Sequence, residues 1–461
     1  MESLWKYNIE MSERNATIDN THIHTLIIGA GMAGALTAYL LKQRGIDAVI
    51  VEAKTIGSGQ TENTTAKITS QHDIFYDKLI CKAGYKRAGA YARANEEAIR
   101  IFEQIIRKEK IDCDFQKMPS YLYTCDERKI QKLKKEASAA KRLGINAEYI
   151  EGEKITELPF EVKGAVCFQN QAQFHPLKFL KHLTKNMTIY ENTKVLSVKG
   201  HTVVTSGGTI TAENIVFTCH YPITNIPGFY FLRQHQERSY VMALAYDKEL
   251  QGMYYGIDKN SLSFRGVGKM LLLGGGGHRT GKCICHLSDV AKEKYGYTFL
   301  HRMKDKYYKD VKEICHWAAQ DCMPHDEIPF IGKYSIFRPY WYVATGFKKW
   351  GMTSSMVAAM ILSSILSGRT DMYKKAFSPQ RFLIRSGLVN FLTDVGESIT
   401  GLTKGLFGKK EHRCPHMGCH LEWNNEEDSW DCPCHGSRFD KDGELLDNPA
   451  QIDLTKEKFY N

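Results

Sequence analysis

The stretch from His22 to Glu52 restricts the fold of this chain more than any other. His22 to Gly29 reads as a buried parallel strand, Gly29-Ala30-Gly31-Met32-Ala33-Gly34 as a turn, and Ala35 to Arg44 as a helix that ends at Gly45. A second strand, Ala48 to Val51, finishes on Glu52. Strand, glycine turn, helix, strand and acid in this order describe a βαβ unit that binds a dinucleotide. Gly29 permits the tight turn, Gly31 lets the backbone approach a pyrophosphate, and Gly34 allows helix and strand to pack closely. The helix N-terminus offers free N–H groups and a partial positive charge, and Glu52 can accept hydrogen bonds from a ribose diol. Both FAD and NAD use this fingerprint, so the turn alone does not choose between them.

A second pattern stands near the C-terminus, where Cys414-Pro415-His416-Met417-Gly418-Cys419 is followed by Cys432-Pro433-Cys434-His435-Gly436-Ser437. Two short loops that each give one thiolate and one imidazole can hold a 2Fe-2S cluster, with two cysteines on one iron and two histidines on the other. The ligands are then Cys414, His416, Cys432 and His435. A structural zinc ion accepts the same donors, but gives no reason to keep the further pair Cys419 and Cys434. Imidazole in place of thiolate makes such a cluster less negative and raises its potential, which suits an acceptor of flavin electrons.

A chain of 461 residues predicts two or three domains, and 43% hydrophobic with 25% charged residues is a globular composition. The polar segment Met1 to Asn20 lacks the pattern of a secretory signal, which points to the cytoplasm. Met352 to Leu366 is interrupted by serines and is shorter than the roughly 20 residues a spanning helix needs, so no membrane association is expected. Nine of the 13 cysteines are scattered between Cys81 and Cys322 and read as reduced thiols. The net charge of +10 is spread among acidic residues, with no basic stripe to bind nucleic acid. Gly274-Gly275-Gly276-Gly277 has the spacing of a turn rather than of a nucleotide loop, and Cys283-x-Cys285-His286 has no second half that would make it a metal site.

Further along, Gly57-Ser58-Gly59-Gln60 and Thr64-Thr65-Ala66-Lys67-Ile68-Thr69 resemble the second flavin-contacting loop of the D-amino-acid-oxidase-like family of FAD oxidoreductases. Thr193-Lys194-Val195 and Ile215 to Cys219 resemble that family's next two strands; Asp326 to Gly332 and Gly346 to Met352 resemble its closing strand, loop and helix. The resemblance spans about residues 20–372. It implies FAD, held by Gly29, Gly31, Met32, Ala33, Gly34, Glu52, Thr65, Ala66, Lys67, Val195, Gly346, Gly351 and Met352. It also implies an α/β fold (α+β overall), with a Rossmann-like FAD-binding domain from residues 20–90, 146–225 and 326–372. Residues 91–145 and 226–325 form a substrate domain around a mixed or antiparallel sheet. In the family the last helix points its N-terminus at the flavin pyrimidine edge, so Lys348 or Lys349 could stabilise charge there on reduction. Candidate pocket residues are Arg238, Tyr240, Tyr254, Tyr255, Arg265 and His278, phenols and cations able to hold a carboxylate or amine.

The C-terminal loops resemble the Rieske proteins of cytochrome bc complexes, and that resemblance implies a disulfide between Cys419 and Cys434. Ser437 is present as in those proteins, but Phe439 stands where they have a tyrosine, which implies a lower potential. Several strands that normally precede the first loop are missing, because Lys404 to Arg413 runs straight into Cys414. Residues 411–461 are thus a shortened all-β module, joined through a helical linker, 373–410, with Phe382, Leu383, Leu388, Phe391, Leu392 and Val395 at helical spacing. Together the parts resemble FAD-dependent oxidoreductases that carry a C-terminal Rieske domain. The resemblance implies a dehydrogenase that oxidises a small amine, amino acid or hydroxy acid and passes electrons through the cluster to an external acceptor. A redox relay or sensor with both cofactors and no substrate of its own is the alternative.

Overall fold

The computed structural model describes residues 2–7, 9, 18, 21–282, 293–381, 396, 402–403 and 412–454. The linker residues Phe382 to Val395 and the motif Cys283-x-Cys285-His286 lie outside the described residues.

Thr21–Ile28 is the centre of an eight-stranded sheet, paired in parallel with Ala48–Val51 on one side and Gly208–Phe217 on the other. Thr188–Tyr190 extends one edge, Arg338–Thr345 and Phe330–Ser335 the other, and the hairpin Val195–Lys199 with Thr202–Thr205 folds onto the start of Gly208–Phe217. Both faces are covered, which is why the central strands read as continuous apolar runs. Ile27, Ile50 and Val216 pack with the helices Met32–Lys42 and Gly351–Leu366, while Leu26, Ile28 and Phe217 pack with Val203 and Trp341. The first helix begins at Met32, three residues earlier than expected, because Gly31 is already its extended N-cap. Gly351–Leu366 is apolar all round because it is buried from Met352 to Ser364. Among the described residues no helix is long and apolar enough to cross a membrane.

The second layer is a nine-stranded sheet in the order Glu313–Pro324, Gln234–Ala245, Met270–Arg279, Ser263–Val267, Met253–Gly256, Gln116–Thr124, Gly164–Gln173 and Lys67–Ile68, with Ala147–Glu151 also on Gly164–Gln173. Its pairings are antiparallel except that of Met253–Gly256 with Gln116–Thr124, so the sheet is mixed, as expected. One expected boundary moves: Ala147–Glu151 and Gly164–Gln173, assigned by sequence to the nucleotide part, are strands of this sheet. They are held by long-range pairing with Gln116–Thr124 that no local motif marks. Glu422–Asn424, Ser429–Asp431, Arg438–Asp440 and Leu445–Asp447 form a separate antiparallel sheet, the small all-β module.

Candidate flavin and iron-sulfur sites

The glycine turn sits at the C-terminal edge of the parallel strands, where such sheets bind ligands. Gly29 has φ +108°, and its N–H donates to the Val51 carbonyl at 2.8 Å. A Cβ on Gly34 would lie 2.0 Å from the Gly29 carbonyl, so helix and turn touch at a place where only glycine fits. Gly31, the N-cap of the helix, offers no side-chain cap, and the Met32 N–H donates to the Thr61 hydroxyl at 3.0 Å. The Glu52 carboxylate accepts N–H bonds from Ala30 at 2.8 Å and Lys54 at 3.0 Å; burial raises its pKa and these bonds oppose the rise. Thr193 donates its N–H to the Glu52 carbonyl at 2.7 Å, which brings Val195 alongside. A tight turn, a helix start free of its own cap and a carboxylate at the next strand's end match the donors and acceptors of a dinucleotide.

Behind this turn, buried Ala66 is held at φ +53° while its N–H donates to the Thr64 hydroxyl at 2.9 Å. The closing helix joins the same place: Thr353 Oγ1 donates to the Thr69 carbonyl at 3.0 Å. Gly346, at φ +75°, starts the loop that leads to Gly351 and Met352 at the mouth of that helix, whose N-cap, Trp350, supplies no side-chain cap. Lys348 and Lys349, within this loop, are half-buried and paired with acids. Lys348 lies 3.8 Å from Glu327 and above the Phe75 ring, and Lys349 Nζ lies 3.3 Å from Glu237.

Strand parity divides the pocket candidates. Along Gln234–Ala245, Val241 and Ala243 pack with the nucleotide core, whereas Tyr240, Met242 and Leu244 pack on the opposite face with Tyr297 and Phe299. Arg238 and Tyr240 therefore point away from the flavin side, a correction to their expected place. Tyr240 shares a 2.8 Å hydrogen bond with His278, and Tyr254 donates to Glu157 at 2.8 Å. The residues that do face inward are Glu237, Ser239, Asp321, Tyr255 and Arg265. The Ser239 hydroxyl donates to Asp321 at 2.7 Å, burial lifts the Asp321 carboxyl to about 6, and Tyr255 packs edge-on to Trp350 at 5.4 Å. His72 is buried here too, within 2.6 Å of the Tyr91 hydroxyl and stacked on Trp350 at 5.1 Å. Sequence reasoning missed Glu237, Asp321 and His72; the first two are the parity neighbours of residues it could see, but register is invisible without the pairing.

Two buried cations stand out. Lys67 Nζ donates to the Tyr254 carbonyl at 2.9 Å and the Ser263 hydroxyl at 2.6 Å. Arg265 donates to Gln173 at 2.9 Å, to the Phe174 carbonyl at 2.7 Å and to the Thr65 carbonyl. Neither has an acid at ion-pair distance among the described residues. Burial, and then the neighbouring Arg265, bring Lys67 down to about 7, and burial brings Arg265 to about 9.

In the module, the Cys414 and Cys432 thiols are in hydrogen-bond contact and the His416 and His435 rings are 4.9 Å apart at 89°. His416 Nδ1 is buried without a partner. Thiol beside thiol and imidazole beside imidazole suit two irons; one tetrahedral zinc would draw all four donors to within about 4 Å of each other. The N–H groups of Cys434 and His435 are directed at the Cys432 sulfur and that of Gly436 donates to the Cys432 carbonyl at 3.0 Å, while the His416 N–H and the Ser437 hydroxyl point at Cys414. Cys419 and Cys434 are joined by a disulfide, S–S 2.04 Å, as the Rieske resemblance implies. Phe439 is fully buried beside these cysteines.

The absent base of the module is supplied by the larger body. Gln236 donates to the His435 carbonyl at 2.8 Å and Gln320 to the Gly436 carbonyl at 2.7 Å. Asn448 donates to the Tyr221 carbonyl at 2.8 Å, and His416 Nε2 lies 2.8 Å from Asn225 Oδ1. Arg238 is the main anchor. Its guanidinium forks onto Glu427, which also binds Arg438, and Arg438 reaches Asp431 at 3.0 Å and Asp447 at 3.1 Å.

Residues 24–365 match the family described as FAD dependent oxidoreductase, and residues 404–456 the Rieske [2Fe-2S] domain. A Bacillus subtilis (strain 168) protein, provisionally named as the Rieske 2Fe-2S iron-sulfur protein YhfW, is 34% identical over 98% of both chains. In fold the chain is similar to L-proline dehydrogenase from P. horikoshii, at TM-score 0.65 and 17% identity over 78% of this chain and 98% of that one. It is also similar to glycine oxidase from Geobacillus kaustophilus, at TM-score 0.62 and 18% identity over 78% and 99%. The turn at Gly29 and the two Cys/His loops thus sit in two recognised units with FAD and a 2Fe-2S cluster as their cofactors, and the chain belongs to the FAD-dependent oxidoreductase family, with a Rieske domain at its C-terminal end.

Proposed function

We propose that the protein is a dehydrogenase that oxidises a small amino acid, or a related amine or hydroxy acid, and releases the electrons through its cluster to an external one-electron carrier. One observation supports this reading: the Rieske module is fastened through Asn448 to the carbonyl of Tyr221, at the C-terminal edge of the nucleotide-binding sheet, and through the His435 carbonyl to Gln236, so the module sits against the edge that carries the glycine turn. When bound, FAD supplies two-electron oxidation of a C–H bond beside nitrogen or oxygen, and the cluster supplies one-electron exchange. The chain's own residues supply the rest. Lys67 and Arg265, buried without a counter-acid among the described residues, favour a carboxylate, since buried charge is stable only when compensated. Asp321, with its carboxyl lifted to about 6, is suited to hold a proton released by a substrate ammonium near neutral pH. The amino-acid chemistry in the names of the two similar structures supports the same substrate class.

The test is anaerobic addition of amino acids, amines and 2-hydroxy acids to the loaded protein, with flavin absorbance and low-temperature EPR followed together. An amino acid should bleach the flavin and bring up a Rieske signal. Reduction of both centres by dithionite alone would favour the relay or sensor reading instead.

A further inference from the structure

His220 is held in an uncommon backbone conformation. It has φ +64°, and the N–H of Tyr221 donates back to the Cys219 carbonyl at 2.8 Å, closing a three-residue turn around it. A non-glycine residue persists there only when its surroundings fix it, and such strain gathers at functional sites. On one side the Thr345 hydroxyl, one residue before the Gly346 loop, donates to the His220 carbonyl at 2.5 Å. On the other, His220 Nε2 lies 3.1 Å from Gln236 Oε1.

Gln236 is fully committed. Its amide nitrogen donates to two carbonyls, His435 at 2.8 Å and Asn448 at 3.0 Å, both of which can only accept. That fixes the amide orientation and leaves Oε1 to accept, from His220 through Nε2–H and, at 3.7 Å, from the Cys322 thiol, which also lies 3.3 Å from Nε2. Gly436, at φ +86°, lets the ligand loop close on this side chain, since a Cβ there would lie 2.6 Å from Gln236 Cβ. Three hydrogen bonds thus run from Thr345 through His220 and Gln236 to the backbone of the cluster ligand His435. Gln236, Thr345 and His435 are all buried.

We propose that His220 and Gln236 are positioning residues that couple the flavin pocket to the cluster through the backbone of His435. This rests on the flavin-to-cluster reading above. The coupling delivers electrons one at a time to a one-electron cluster, and a one-electron acceptor outside the chain takes each of them onward.

The test uses the full-length, doubly loaded protein with the flavin reduced by light and a sacrificial donor, so that no substrate is needed. Gln236→Met keeps the volume and removes the hydrogen bonds; His220→Asn leaves the module's own contacts untouched. Each should slow the appearance of the cluster EPR signal by about tenfold, the scale of losing an outer-shell partner. Flavin content, iron content and the signal's shape should be unchanged. Thr298→Val, which loosens the module at Glu426 through a contact that is no part of this bridge, should keep the wild-type rate. Wild-type rates in both bridge variants, or equal slowing in Thr298→Val, would overturn the proposal. If Gln236→Met loses iron, His220→Asn alone decides. A wild-type cluster that stays oxidised beside a reduced flavin would sink the relay itself and is recognised separately.

Discussion

The nucleotide turn and the cluster loops are supported in opposite ways. The turn is braced mainly from within its own βαβ unit: Gly29 bonds to Val51, Gly34 touches Gly29, and Glu52 bonds to Ala30, with one distant side chain, Thr218, donating to the Gly29 carbonyl at 3.1 Å. The cluster loops are braced from outside, by Gln236, Arg238 and Gln320 on a sheet that precedes them by more than a hundred residues. A motif can therefore be complete in its ligands and still depend on distant sequence for its rigidity. Arg238→Ala tests that dependence most severely. It leaves buried Asp431 and half-buried Glu427 and Asp447 with one guanidinium fewer, and breaking a largely buried network of this kind costs about 3–5 kcal/mol. The expected outcome is a module that is cleaved by protease and loses iron while FAD is retained. Simultaneous loss of FAD would mean that the two units are not supported separately.

The converse change strikes the turn and should spare the module. Gly34→Ala places a methyl carbon 2.0 Å from the Gly29 carbonyl, so helix and strand must separate. Overpacking of this kind costs about 1–3 kcal/mol. We expect weak FAD retention, read by flavin fluorescence of the purified protein, with an intact Rieske EPR signal. An FAD content equal to that of the wild type would show that the turn yields more easily than its packing indicates.

This contrast also explains what the sequence could disclose. The turn at Gly29, the acid at Glu52 and the two Cys/His loops of the Rieske domain were legible because their chemistry needs fixed residues at short spacing. Arg238 and Tyr240 were visible as useful side chains, but which face they occupy depends on register against Met270–Arg279 and Glu313–Pro324, and a shift of one residue exchanges the faces. Glu237 and Asp321 were hidden for the same reason. The assignment of Gly164–Gln173 to the nucleotide part failed because its strand partners are far away in the chain. Borrowed support, by its nature, leaves no local pattern.

Lys67 offers a milder test on the flavin side. The amine ordinarily keeps its proton up to about 10.5, but in the fold only to about 7, because burial and Arg265 disfavour the charge. Between these values the unfolded chain binds more protons than the folded one. Stability from this group therefore rises with pH, by up to about 1.4 kcal/mol per unit, and is lowest below neutrality. Lys67→Met should flatten that slope in denaturant titrations at neutral and alkaline pH. A carboxylate ligand should flatten it in the wild type as well, by restoring the charge's partner. Equal slopes in wild type and variant would mean that the cation is already compensated.

The smallest expected effect returns to the module. Phe439 is wholly buried among Cys414, Cys432, Leu421 and Ala450, at the position where related clusters receive a tyrosine hydroxyl. A donor to cluster sulfur stabilises the more negative, reduced form, so Phe439→Tyr should raise the midpoint potential in an EPR-monitored titration. The hydroxyl has two alternatives in so apolar a setting. If it reaches a sulfur, the potential rises and the unfolding midpoint of the module holds. If it does not, it is a buried unsatisfied donor that costs about 1–3 kcal/mol, the midpoint falls and the potential stays where it was. A potential that drops while the module remains stable fits neither, and would show that the low potential implied by Phe439 has another source.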